Sequence, residues 1–270
     1  MNCGCNIFTV SVSGGLVIAP KALIVVEQIQ GGATLGGSAF IDLYNDIFDN
    51  FSGLWPLSEQ GVGDPQEYID LSRKQLHGSG GSLQPTLSTN VGCLPCQVFA
   101  ETSLGIGESI TLPPDLIPAD FSVSMWIQMS RKYAQRTFYS RGSNPYTFQL
   151  GYSFLNHIVA SLYTDQGFFE VYSDRLELDR NYHIACSYNG SLLNLFIDGE
   201  LVDSLSVTGT PYEITEDGFF GRLNNAGYPD CKIQEVRLWS FAQDESWFTA
   251  ERENFCGSLY EVGELETVTS

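Results

Sequence analysis

The sequence predicts an all-β fold: a sandwich of two antiparallel sheets, with a β-rich N-terminal arm and a short C-terminal helix. Three observations carry this. The stretch 181–202, NYHIACSYNGSLLNLFIDGELV, alternates apolar and polar residues around Asn189-Gly190 and again before Asp198-Gly199. Asn-Gly and Asp-Gly accept the positive φ of tight hairpin turns, so this stretch reads as three antiparallel strands joined by two turns. Between residues 136 and 172, short alternating runs recur about every ten residues with turn residues between them, as an all-β sandwich requires. Apolar residues make up 43% of the 270 and aromatics 13%, enough for one large core.

Residues 1–50 differ in texture from the rest. The alternating run 6–12 is broken by Gly14-Gly15, the apolar run 16–26 follows, and Gly31-Gly32 and Gly36-Gly37 punctuate the remainder. The run 40–51, FIDLYNDIFDNF, reads either as a short amphipathic helix or as a strand and linker. Two readings of 1–50 stay open. One is an arm that adds strands to a neighbouring subunit or anchors to a partner; the other is a strand pair folded onto the same domain.

The domain itself spans 51–256. Strands are expected at 121–129 (FSVSMWIQM), 136–140, 146–152, 157–163, 168–172 and 231–241 (CKIQEVRLWSF). Alternate residues of a strand share a face. Tyr146, Phe148, Leu150 and Tyr152 therefore form one stripe, read as core, with Thr147, Gln149 and Gly151 on the other side. Residues 244–253 read as a helix with acids in the first turn, where its dipole favours them. The tail 257–270 is acidic.

Several of these segments carry a family pattern. His183, Ala185, Tyr188, Gly190, Leu195, Asp198 and Gly199 match "W-H-h-A-h-x-Y-D-G-x-x-x-x-L-Y-V-D-G", where h is apolar. Trp55, Pro56 and Leu57 match an opening strand, and Asp70, Ser72, His77 and Gly78 match the "D-x-S-x-x-x-x-H-G" that follows it. QVFAETSLGIGESITLP, FSVSMWIQM and CKIQEVRLWSF match the patterns "F-D-G-x-x-x-x-I-x-L-P", "F-T-V-S-x-W-V" and "I-D-E-V-R-I-W-N". From near residue 54 to about 255 the chain resembles the laminin-G-like, concanavalin A-like jelly-roll domains of lectins and glucanases. The resemblance implies a jelly-roll sandwich, and recognition or scaffolding more than catalysis. It also implies calcium as the common cofactor, held at the edge of the convex sheet by an Asp of the closing strand. Gln234 stands at that Asp position, with Glu235 on the opposite face by alternation, so the remaining calcium candidate is Asp70 with carbonyls around Ser72 and Gly78.

Charge excludes some partners. The net charge is −19 with only 13 Lys and Arg, and Lys21 is the only basic residue before Arg73. Such a chain has no basic footprint for nucleic acid or for an anionic membrane surface. The start MNCGCNIF has no basic n-region, and the run 16–26 is interrupted by Pro20 and Lys21 and is too short to span a bilayer. Synthesis in a cytosol without secretory export is therefore expected. Seven cysteines cannot all pair internally. Cys3, Cys5, Cys93 and Cys96 would make a four-thiolate zinc set if they met, though free thiols are the rule in a reducing compartment. Cys186 reads as a small buried residue, while Cys231 and Cys256 flank the last strand and helix and could pair after release.

No catalytic constellation stands out. Glycosidases need two carboxylates facing one cleft. Glu177 and Asp179 are flanked by Arg175 and Arg180 and lack a third acid at Tyr182, so they read as a solvated turn. His77, His157 and His183 fall in separate segments. A glycan site is expected in the polar loop before the closing strand, at Asn224, Asn225, Tyr228 and Asp230, because loops carry binding residues.

The favoured reading is a non-enzymatic virion structural protein, such as a phage capsid decoration, fibre or tail component, made in the host cytoplasm. Its partners would be other virion subunits, bound through the arm, and cell-surface glycans. The alternative is a calcium-dependent carbohydrate-binding module of a bacterial surface or secreted protein. A degenerate glycosidase is third.

Overall fold

The computed structural model describes residues 51–91, 94–103, 106–115, 119–130, 135–142, 146–213, 216–223 and 227–254. The expected arm 1–50 and the acidic tail 257–270 lie outside these residues.

The expected two-sheet sandwich is present. One sheet has eight strands. Seven run in the order β14 (Glu200–Ser206), β13 (Leu192–Ile197), β12 (Asn181–Tyr188), β7 (Phe121–Met129), β16 (Cys231–Trp239), β3 (Leu94–Phe99) and β2 (Thr86–Val91). The eighth, β1 (Phe51–Trp55), also pairs with β16, beyond the stretch that β3 occupies. The second sheet has six strands. Their order is β11 (Gly167–Arg175), β10 (His157–Thr164), β9 (Tyr146–Tyr152), β8 (Arg136–Gly142), β15 (Gly218–Phe220) and β6 (Ile110–Leu112). β4 (Glu101–Ser103) and β5 (Ile106–Gly107) form a separate small ribbon.

The core lies between the sheets and is rich in rings. Phe121 of β7 meets Phe148 of β9 edge-on at 4.9 Å, and Trp55 of β1 meets Phe220 of β15 at 5.3 Å. Both contacts join one sheet to the other, and such pairs add about 0.5–1.5 kcal/mol beyond the area they bury. Cys96, Cys186 and Cys231 are buried, and burial pushes the Cys186 and Cys231 thiols up. Cys186 is thus the small core residue its strand position implies. Cys3, Cys5, Cys93 and Cys256 lie outside the described residues.

The β13–β14 turn follows the sequence reading closely. Asp198 and Gly199 both take positive φ, at 52° and 87°, as a two-residue turn of the right twist demands. The β12–β13 connection instead has three residues. Asn189 Oδ1 accepts from the backbone N–H of Ser191 and Leu192 at 3.1 and 2.8 Å, which closes the longer loop.

The helix α1 (Glu245–Asn254) packs outside the eight-stranded sheet. Asp244 caps its first turn, accepting from Trp247 N–H at 2.9 Å. Phe248 is buried against Phe196 and Trp239. Beneath the helix Glu251 accepts from Arg237 at 2.5 Å, and Arg237 also pairs with Glu235. His183 Nε2 lies 3.5 Å from Glu251, too long for a full hydrogen bond but close enough for electrostatic contact. Gly199 approaches the helix so closely that a Cβ there would lie 2.7 Å from Thr249 Cα. Among the described residues no helix is long and apolar enough to cross a membrane.

Candidate functional site

The outer face of the six-stranded sheet is the chemically richest surface. Strand alternation builds it. Phe148, Leu150, Ala160, Leu162 and Val171 point into the core, so their neighbours point outward. On β9 these are Thr147 and Gln149; on β10, Ser161 and Tyr163; on β11, Phe168, Glu170 and Tyr172. Register places Tyr163 opposite Phe168, and Ser161 between Glu170 and Gln149.

At one end of this face three rings cluster. Tyr163 and Phe168 lie 4.5 Å apart, and Tyr146 meets Tyr163 edge-on at 5.0 Å and Phe168 at 6.4 Å. The expectation that Tyr146 joins Phe148, Leu150 and Tyr152 in the core therefore fails for Tyr146 alone. The β8–β9 register shifts between Arg141 and Gly142, which breaks the period-two pattern where β9 begins. Phe168 in the cluster and Tyr172 beside it are 42% and 45% exposed, while Tyr146 and Tyr163 are half-buried, so Phe168 and Tyr172 present ring surface to solvent.

Beside the rings lies a polar strip. Glu170 accepts from Ser161 Oγ at 2.9 Å through Oε1 and from the Tyr172 hydroxyl through Oε2. That bond to Glu170 comes first, with burial second, in pushing the Tyr172 hydroxyl up to about 12. Burial, then Tyr163, raises the Tyr146 hydroxyl as well, so these hydroxyls stay protonated donors at neutral pH. Farther along, Gln149 Nε2 donates to Thr137 Oγ1 at 2.7 Å and Thr147 Oγ1 donates to the Tyr212 carbonyl at 2.7 Å. These bonds fix a polar floor. Thr147, Gln149 and Ser161 are themselves buried, so the groups open to a ligand are the rings with Glu170 and Tyr172; such a set suits a pyranose ring, whose C–H face stacks on the rings while its hydroxyls meet the carboxylate.

The loop expected to bind glycan is placed differently. Asn224 and Asn225 lie outside the described residues. Tyr228 is buried, packed over Gly107. Asp230 Oδ1 accepts from Glu101 N–H at 3.1 Å. Both residues tie the loop to the small ribbon, which leaves Tyr228 no open ring face. Sequence reasoning missed the strip on β11. Its signal is the alternation Phe168-x-Glu170-x-Tyr172 after Gly167, which puts two rings and an acid on one face.

The calcium candidate Asp70 is buried with both carboxylate oxygens engaged. Oδ1 accepts from the N–H groups of Leu54 and Ser72, and Oδ2 from Ser72 Oγ and Leu76 N–H, all at 2.8 Å. Four donors fill a carboxylate's lone-pair positions, so Asp70 does not fit a cation ligand; it is the anchor of its loop. Gln97 Nε2 donates to the carbonyls of Leu57 and Glu59 at 3.2 and 2.6 Å, occupying oxygens near the domain's start. Gln234 is buried in β16, and a bulge follows it at Glu235, whose φ is 52°. That bulge sets Glu235 beside Arg237. Among the described residues no group of three or more His, Cys, Asp or Glu side chains gathers as a metal site. Glu177 and Asp179 are exposed while Leu176 and Leu178 between and beside them pack on the core, which is the geometry of a turn.

The architecture defines a class: a two-sheet antiparallel sandwich whose smaller sheet carries a partly exposed aromatic face beside a carboxylate. Residues 104–247 match the family model of the concanavalin A-like lectin/glucanases superfamily, and the chain belongs to that family. A search of curated proteins gives no match. Among solved structures the chain resembles the binding domain of paraclostridial mosquitocidal protein 1, at 14% identity and a TM-score of 0.60, covering 77% of this chain and 53% of that one. The receptor-binding domain of botulinum neurotoxin D gives the same values. A serotype D ligand-binding domain in complex with N-acetylneuraminic acid matches at 15% identity and a TM-score of 0.59, over 77% of this chain and 52% of that one. The chain thus spans about half the length of these structures, and at such identity the likeness carries the fold.

Proposed function

We propose that this domain is a non-catalytic glycan-recognition module that binds through the outer face of its six-stranded sheet. The observation that carries the reading is the Tyr146–Tyr163–Phe168 cluster beside the Ser161–Glu170–Tyr172 strip. Family membership supports it, since lectins share this sandwich, and so do structural neighbours that include a receptor-binding domain and a ligand-binding domain in complex with N-acetylneuraminic acid. Such a role goes with cell-surface glycans as partners. The virion role and its partner subunits rest on residues 1–50, which lie outside the described residues, so glycan recognition is placed first.

A glycan array followed by calorimetry tests the reading. The intact chain should bind at least one oligosaccharide class. Tyr163→Ala and Phe168→Ala should each weaken that binding about threefold to tenfold, the worth of one stacked ring. Unchanged affinity in both variants would remove the site. Release of reducing ends from the bound glycan would show a catalytic domain instead.

A further inference from the structure

We infer that this face selects uncharged sugars and rejects glycans capped by a carboxylate, such as sialylated ones. The inference rests on the glycan reading above and concerns the ligand's charge.

Among the described residues of β9, β10 and β11, the charges beside the rings are negative; Arg222 lies at the β15 end of the sheet, over the Phe219 ring at 3.9 Å. Glu170 sits among the outward-facing aromatics of β11, opposite Ser161 and two residues from both Phe168 and Tyr172. Each of its oxygens accepts one bond from the protein, which leaves each a lone-pair position for a sugar hydroxyl. Asp203 lies against the same edge, accepting from Tyr172 N–H at 2.9 Å through Oδ2. Asp174 follows on β11, exposed.

Cations that would recognise an acidic sugar are not built into these strands. β9, β10 and β11 contain no Lys, and their one Arg, Arg175, ends β11 in register with His157, past a shift in the ladder. Recognition of a carboxylate draws on a guanidinium fork or a comparable set of donors. Here an incoming carboxylate meets Glu170 instead. Repulsion between two unit charges a few ångströms apart at a partly exposed site is on the order of a tenfold loss in affinity. A neutral hexopyranose keeps the stacking on Tyr163 and Phe168 and donates hydrogen bonds from its hydroxyls to Glu170. The fold is thus that of neighbours that include one in complex with N-acetylneuraminic acid, while the charge of this face points to a different ligand class.

The test uses the intact chain and a glycan array of matched pairs. Each neutral oligosaccharide is printed beside the same chain capped with N-acetylneuraminic acid, and the best pair is measured by calorimetry. The neutral member should bind, and the capped member should bind about tenfold more weakly or worse. The gap should narrow between low and high salt, because exposed charges are screened. Glu170→Gln keeps the shape and removes the charge, so the ratio between the two members should fall toward one. Circular dichroism confirms that the variant is folded. Equal or tighter binding of the capped member overturns the inference but leaves glycan recognition standing. A ratio that Glu170→Gln does not change also overturns it. If neither member of any pair binds, the glycan reading fails and this inference with it.

Discussion

Glu251 illustrates how one side chain ties stability to pH. Burial alone would raise its carboxyl, but Arg237 at 2.5 Å and the nearby His183 ring outweigh that and hold it below the ordinary carboxylate value. Arg237 is in turn raised: burial would lower it, but Glu235 and Glu251 more than offset this. A depressed carboxyl contributes stability above its unfolded value, about 4.3, and that stability is lost as pH falls through the folded value. The thermal stability of the wild type should therefore fall steeply below about pH 4. Glu251→Gln should lower stability at pH 7 by about 3 kcal/mol, because Arg237 loses a buried counter-charge. It should also flatten the acid limb. A Glu251→Gln curve parallel to wild type across the acid range would show that the pair does not carry this linkage.

At the scale of elements, Gly199 governs how helix and sheet meet. It needs φ of 87°, and a Cβ there would press on the α1 backbone at Thr249. Gly199→Ala should cost about 2 kcal/mol or more, from backbone strain together with displacement of α1. For a domain of this size that lowers the melting temperature by about 4–8 °C, read by calorimetry. Asp244→Ala removes only the cap of α1 and should cost about 1 kcal/mol. These elements were legible in the chain: the Asp198-Gly199 turn, the alternating β7 and β16, and the helix with acids at its start all follow local rules that the fold obeys. The site was less so. Tyr146 follows a register shift, and a one-residue slip moves a side chain to the other face without any mark in its own strand. Tyr228 looks like a loop ligand by composition, but its burial over Gly107 depends on a ribbon far away in sequence. β2 pairs with β3 through a run, TLSTNV, whose polar composition does not announce a strand.

For the whole molecule, two properties follow from the way polar groups are satisfied. Asp70 is filled by four protein donors, and Gln97 spans the carbonyls of Leu57 and Glu59, so the start of the domain is held by neutral and internal bonds. We expect the melting temperature to be the same in millimolar calcium and in chelator; a clear rise with calcium would show a metal site that these residues do not explain. The charge of −19 and the acidic character of β11 act together. Both steer anionic ligands away from the molecule before they reach the sheet.

The central claim is that sugars meet the outer face of the six-stranded sheet. Its most direct test is a backbone NMR titration of the full chain with the tightest neutral oligosaccharide from the array. The account predicts shifts concentrated at residues 146, 161–163 and 168–172, on three adjacent strands. Shifts confined to residues 227–230, or to the outer face of the eight-stranded sheet around His183 and α1, would contradict it.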